Sequence, residues 1–445
     1  MRRVKLTACA ALLAAVMAMS LSAENIKLTF MFWGSPAEQT AITKACKDFE
    51  AVNPGVSVEP LYAVYSGAEY DAKMKAMSES DTLPVCGYFA SETIYSYAAN
   101  DFFLDLAPYV KAENLEKDYL PQAWIRSGSK IIGAYTAAEA QVMYYNKDTL
   151  TKAGVPLPPT DYKKAWSWSD AVKYWTKLTV DTKGKHPGEA GFDPKHIACF
   201  GVFHETWTGM LWPRLWGNGG DIFAADGKDL LIDKPESIEA IQQLADLRNK
   251  YMVMSSPGLT EYNATGKTDP KVLLQNGQIA FYVSGAWELL DFAKMNFPLG
   301  VGALPIAKKP AQLYISGVNV VFKKTKHPAE AWKLQKWMMD PAKTTDLYSG
   351  GLWMPTKKSW YENKADLSKW LDNPAHPKGF KEAVVDSMAV SRNEPLNIKN
   401  SNQIMTEFIN PELDKVWQGK DTAENAMKRA AAAVRKSGLL EGLWQ

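Results

Sequence analysis

The residues best suited to chemistry in this chain are its tryptophans, sixteen in all, several of them placed where an extended run gives way to a helix start. An indole face stacks on the apolar face of a saturated ring such as a pyranose, and carboxylates, amides and hydroxyls beside it pair with the ring's polar rim. Trp33 stands between an alternating apolar run that opens at Ile26 and the helix start Ser35-Pro36. Ser91 and Glu92 follow a second run, 84–90, and Trp287 follows a third, 279–283. In α/β sheets ligands bind at these places, beyond the carboxyl ends of strands and beside the free N–H groups of helix starts. Trp207, Trp212 and Trp216 cluster in a glycine-bounded stretch with no clear period, and Trp353 is a bulky residue in the turn Gly350-Gly351-Leu352-Trp353-Met354-Pro355. With Ser35, Tyr65, Glu139, Gly317 and Arg392, these residues (Trp216 excepted) form the candidate ligand-binding set. Trp168, Trp175, Trp332 and Trp337 repeat at helical spacing and are expected in the core.

Catalytic and cofactor motifs are missing from the chain. It has no G-x-S-x-G, no Walker A loop, no H-E-x-x-H and no G-x-G-x-x-G after a strand. The five histidines, at 186, 196, 204, 327 and 376, are scattered, and no metal, cofactor or catalytic residue is assigned. A glycosidase-like carboxylate pair, about 5 to 10 Å apart, would exist only in three dimensions and cannot be picked out from spacing along a chain.

The elements that must position these side chains start after an export segment. Arg2, Arg3 and Lys5 precede an apolar run, 6–18, and a small-residue exit, which together read as a signal peptide cleaved after Ala23. Leu6-Thr7-Ala8-Cys9 precedes the apolar run that a lipidation box should follow. Without the export segment, 48 basic residues stand against 49 acidic ones, which argues against a nucleic-acid or anionic-membrane partner. The 422 remaining residues are too many for one core, so two domains are expected. Only Cys46, Cys86 and Cys199 remain, expected as three buried thiols, Cys46 with Cys86 being the pairing guessed if any bridge forms.

Strand-like runs alternate with helical ones at 36–53, 94–100, 168–178, 237–251, 328–338 and 422–434, a pattern that predicts parallel βαβ units. Asp226-Gly227 is expected to turn a hairpin. With no linker in view, the two domains are expected to share several chain crossings.

In their order and spacing, several segments resemble the extracellular solute-binding family 1 of ABC importers, the maltose-binding-protein-like group. They are Phe32-Trp33-Gly34 with Asn53-Pro54-Gly55, Tyr144-Tyr145-Asn146-Lys147-Asp148 with Ala153-Gly154-Val155-Pro156, and Asn218-Gly219-Gly220-Asp221-Ile222-Phe223. They continue in Gly277 to Trp287, Leu304-Pro305, His327-Pro328-Ala329-Glu330-Ala331-Trp332, and Gly350-Gly351 with Met354-Pro355. The chain departs from the family's Pro-Asp-Val, reading Pro84-Val85-Cys86.

The resemblance implies an α/β, two-lobe periplasmic-binding-protein-like fold of type II, with discontinuous lobes around a ligand cleft. Its pattern places residues 24–136 and 303–340 in an N-lobe and 137–302 and 341–445 in a C-lobe. It implies a periplasmic, monomeric, non-enzymatic protein that captures a mono- or oligosaccharide and delivers it to transmembrane permease subunits. Trp287 would stack on sugar, with Trp33 and the Ser91-Glu92 loop facing it from the opposite lobe. An exported carbohydrate-active enzyme, a lyase or hydrolase, is the alternative.

Overall fold

The computed structural model describes residues 25–63, 68–91, 93–255, 269–350 and 353–444. The export segment expected at 1–23, Tyr65 and Glu92 lie outside the described residues.

Two sheets organise the molecule. The first has six strands, β1 (Ile26–Phe32), β2 (Val56–Tyr62), β3 (Cys86–Phe89), β4 (Trp124–Ser127), β5 (Lys130–Tyr135) and, from far along the chain, β12 (Val318–Val321). Their order is β2-β1-β3-β12-β5-β4. The second sheet takes β6 (Gln141–Asn146), β7 (Val180–Asp181), β8 (Ile197–His204), β9 (Ile279–Gly285) and β10 (Leu299–Gly302) in the order β10-β6-β9-β8-β7. A small parallel pair joins β11 (Gln312–Tyr314) to β13 (Ser391–Asn393). β9 is buried along its whole length, which explains why Ile279 to Gly285 reads as a continuous apolar run and not as an alternation.

The expectation of parallel units holds only in part. β1 pairs in parallel with β2 and β3, and β8 with β9, but β12 runs antiparallel between β3 and β5, and β6 antiparallel to β9. Local periodicity cannot reveal that a strand from residues 318–321 inserts into a sheet begun at residue 26, since the pairing is a tertiary choice.

The helices follow from caps and periods already visible. Ser35 caps the helix Pro36–Val52 in a capping box, its hydroxyl accepting from the Glu38 N–H while Glu38 accepts from the Ser35 N–H at 2.7 Å. Trp168–Leu178, Pro235–Asn249, Pro328–Met339 and Ala423–Ser437 match the runs read from spacing to within two or three residues. Trp175 and Trp332 are buried, and Trp168 and Trp337 partly so. Full burial of such a side chain contributes about 1.5–3 kcal/mol. The three cysteines are free and buried, and burial pushes the Cys46 and Cys199 thiols up to about 12.

The stretch around Trp207, Trp212 and Trp216 is not a loop. Thr208–Asn218 is a helix with Pro213 inside it, and nearly every residue is buried, so no amphipathic period exists to be read. Pro213 lacks the N–H that would bond the Gly209 carbonyl one turn back. The Gln141 side-chain amide donates to that carbonyl instead, at 2.6 Å.

The sheets meet where three segments run side by side. Thr136 donates to the Gly317 carbonyl (3.2 Å), Glu139 exchanges backbone bonds with Ile315 (2.9 and 3.3 Å), and Ala138 does so with Met354 (2.8 and 3.1 Å). Residues 304–311 pack on the second sheet's side, Ile306 bonding Trp166 and Lys308 bonding Gly217. Residues 356–358 bond to Leu120 and Asp118, beside the first sheet, where the family pattern had put everything after 340 with the second.

A candidate ligand cleft between the two sheets

The three adjacent segments form the floor of a cleft of about 500 Å³ whose walls come from the two sheets. That volume falls within the range of about 300–1,000 Å³ usual for small-molecule sites.

One wall grows from the ends of β1 and β3. Trp33 follows β1, and its ring is met edge-on by Tyr70 (5.3 Å between centroids, 83°) and Tyr88 (5.2 Å, 76°). Tyr70 is fixed by donating its hydroxyl to the Tyr88 carbonyl at 2.8 Å. Glu38 reaches this wall because its capping-box bond folds it back toward Gly34. Gly34 has φ of +142°, and a Cβ there would sit 2.6 Å from the Glu38 carboxyl, so only glycine fits the turn that carries Trp33.

The opposite wall grows from the ends of β8 and β9. Trp207 and Trp287 stand with ring centroids 6.3 Å apart, tilted by 46°. Glu205 organises this wall: one carboxyl oxygen accepts from the Trp207 indole N–H at 2.8 Å, the other from the hydroxyls of Tyr282 (2.5 Å) and Ser284 (3.0 Å). Each of the two tryptophans lies against a glycine. A Cβ on Gly285 would come within 2.0 Å of the Trp287 ring, and one on Gly209 within 1.8 Å of the Trp207 ring.

The floor presents Glu139, Ile315, Ser316, Gly317 and Trp353, the last packed on Tyr88 at 6.2 Å and Tyr348 at 6.1 Å. The Ser316 hydroxyl is buried with no hydrogen-bond partner in the structure. Buried polar groups are nearly always satisfied, so a hydroxyl left single at the bottom of a cleft is suited to a ligand's hydrogen bond.

Burial raises the carboxyls of Glu38, Glu139 and Glu205 above their ordinary range, Glu139 most, with the Glu38 charge adding to it. Among the described lining residues there is no lysine, arginine or histidine. The site is therefore built of aromatic faces, hydroxyls and carboxyls with no cation beside them, suited to a neutral polyhydroxylated ligand and poorly to an anion.

These shifts give a pH dependence with a definite sign. A carboxyl whose folded-state pKa exceeds its unfolded value of 4.5 makes the folded protein bind extra protons, so its stabilising contribution is lost as pH rises through the folded value. Glu139 therefore adds a downward slope to the melting temperature of the ligand-free protein between about pH 5.5 and about pH 8, opposed in the lower part of that range by His204, which burial holds down to about 4. Glu139→Gln should flatten that slope in thermal scans; an unchanged slope would mean Glu139 is ionised throughout.

Of the residues singled out by sequence, the structure brings Trp33, Ser91, Glu139, Trp207, Trp287, Gly317 and Trp353 to this cleft. Three stand elsewhere. The Ser35 hydroxyl is used as a helix cap. Trp212 is buried in its helix, stacked on Trp216 at 5.4 Å and bordering a different cavity. Arg392 lies over the Trp216 ring at 4.5 Å and pairs with Asp221 at 3.2 Å, away from the cleft.

Sequence reasoning missed Glu38, Tyr88, Glu205 and Ser316. The Ser35-x-x-Glu38 spacing was a capping-box signal, and the apolar run 197–203 was a strand signal that would have put Glu205 and Trp207 beyond a strand end. Nothing local marks Ser316.

A sequence model described as bacterial extracellular solute-binding protein matches residues 44–378. The chain is 22% identical over 423 residues to the sn-glycerol-3-phosphate-binding periplasmic protein UgpB of Shigella dysenteriae, 90% of each chain being covered. It superposes on the ABC substrate-binding protein Lmo0181 from Listeria monocytogenes in complex with cycloalternan with a TM-score of 0.78, at 24% identity, covering 93% of this chain and 99% of that one. It also superposes on UgpB from Mycobacterium tuberculosis in complex with glycerophosphocholine, with a TM-score of 0.73 at 16% identity, covering 92% and 98%. The two-lobe binding-protein fold is shared with both solved structures.

Proposed function

Since this chain belongs to the bacterial extracellular solute-binding protein family, we propose that it captures a neutral carbohydrate in the cleft and delivers it to the membrane subunits of an ABC importer. The observation that carries this reading is the pairing of tryptophan faces from both walls, Trp33 against Trp207 and Trp287, with carboxyls and a single buried hydroxyl beside them and no cation among the described lining residues. The relatives divide on ligand: one solved structure holds a cyclic oligosaccharide and another a phosphodiester. The aromatic lining, with carboxyls and no cation among the described residues, favours the first kind of chemistry.

The polarity of the export segment supports placement in the periplasm after cleavage near Ala23. The lobes of this reading take the first sheet with residues 318–350 and 355–371, and the second sheet with 304–314 and the C-terminal helices. The segments 136–140, 315–317 and 353–354 act as the hinge. Ligand bridging both walls should close it. Small-angle scattering is expected to show a smaller radius of gyration at saturating sugar, and superimposable curves with and without sugar would count against closure.

Capture without chemistry is tested by incubating the purified protein with end-labelled oligosaccharides. Recovery of the label at its original chain length is expected, and shortened or unsaturated products would favour the enzyme reading instead.

A further inference from the structure

Trp207 is the one tryptophan among the exposed large hydrophobic residues of the described chain, at 40% exposure. It is held firmly all the same, by the bond from its indole N–H to Glu205 and by the glycine backbone at 209 beneath its ring. A fixed indole beside a cleft offers its open face to a ring stacked on it.

Trp207 also borders a second cavity, of about 240 Å³, and among the described residues it alone lines both this cavity and the cleft. That volume is below the range of about 300 Å³ and upward expected of an independent site, so the space suits an extension of the cleft. Its lining alternates in kind: Trp212, Phe223 and Met405 supply apolar faces, and Asn402 and Thr406, both exposed, supply polar groups. That mixture repeats the chemistry of the cleft itself, aromatic face beside hydrogen-bonding rim.

We infer that the ligand is an oligosaccharide whose chain passes over Trp207, with one end between Trp33 and Trp287 and the other in the second cavity. The inference rests on the carbohydrate reading of the cleft and specifies the length of the ligand. In this arrangement a monosaccharide occupies the cleft alone and leaves the second cavity and one edge of Trp207 uncovered. A longer chain covers both.

The test uses the full-length mature protein and a mixed pool of partial hydrolysates of neutral polysaccharides: an α-glucan, a β-glucan, a mannan and a xylan. Retained chains are washed, released by denaturation and sized by mass spectrometry. The wild type is expected to retain chains longer than disaccharides in preference to shorter ones.

Asn402→Trp fills the second cavity from an exposed position and should reduce retention of the longer chains about tenfold, the scale of one lost contact, with shorter chains retained as before. Thr406→Trp, also exposed, provides the same block should the first variant melt abnormally. Retention confined to monosaccharides, or identical length distributions in wild type and both variants, would overturn the extension while leaving the cleft reading in place. Retention of no sugar by any of the proteins would overturn both.

Discussion

Replacing Trp287 by alanine is expected to weaken sugar binding by about thirtyfold or more while the ligand-free protein melts close to the wild type. The loss corresponds to about 2 kcal/mol, the scale of a binding hot spot made by an aromatic anchor. Trp287 sits on the short 3-10 turn Ala286–Glu288, directly past the end of β9, and its ring is only partly buried. The strand before it is anchored independently, with β6 and β8 on either side. The contrast is Trp175, buried completely, whose truncation would remove core packing at about 3–5 kcal/mol of folding stability. Calorimetric affinity beside a thermal scan of the same variant separates the two. A variant that melts far below wild type yet binds sugar normally once folded would place Trp287 in the core.

Gly285→Ala is expected to cost nearly as much affinity as losing the indole, about tenfold to thirtyfold. Its backbone, with φ of −100° and ψ of 170°, is extended and open to any residue, so the effect would not come from conformational strain. It comes from space: the new methyl would lie 2.0 Å from the Trp287 ring, and the nearest atoms belong to an indole that can leave only by swinging out of its place in the cleft wall. Tryptophan fluorescence should show the displaced ring, and the melting temperature should change less than the affinity. Normal affinity in Gly285→Ala would mean that the ring's position is set elsewhere or does not matter for binding.

These two variants also mark what could be read from residue order. Trp287 was legible because a short apolar run, a small-residue break and an aromatic residue follow one another within ten positions, and a strand end is a binding position in any α/β sheet. Trp33 was legible for the same reason. The pairing of Gly285 with the Trp287 ring was not, since the indole could have taken another rotamer and only the packed wall selects this one. Glu205 escaped because β8 was not recognised, although Ile197 to Phe203 carries the pattern. The helix holding Trp212 was hidden by its complete burial and by Pro213, whose missing bond is replaced by Gln141 from another strand.

The insertion of β12 and the side taken by residues 356–358 depend on pairings between segments far apart in the chain, which no window of sequence contains. Arg392, expected in the ligand-binding set, stands instead over the Trp216 ring and pairs with Asp221, a placement set by contacts between distant segments.

If the cleft takes a neutral polyhydroxylated ring and not a phosphate ester, thermal denaturation with a two-class ligand panel will separate the two. One class contains neutral mono- and oligosaccharides, the other glycerol 3-phosphate and glycerophosphocholine. A ligand at 100 times its dissociation constant stabilises the folded state by about 2.7 kcal/mol, enough to raise the melting temperature measurably. Such a rise is expected with at least one neutral sugar and with neither phosphate ester. Stabilisation by a phosphate ester alone, with every neutral sugar silent, would contradict it.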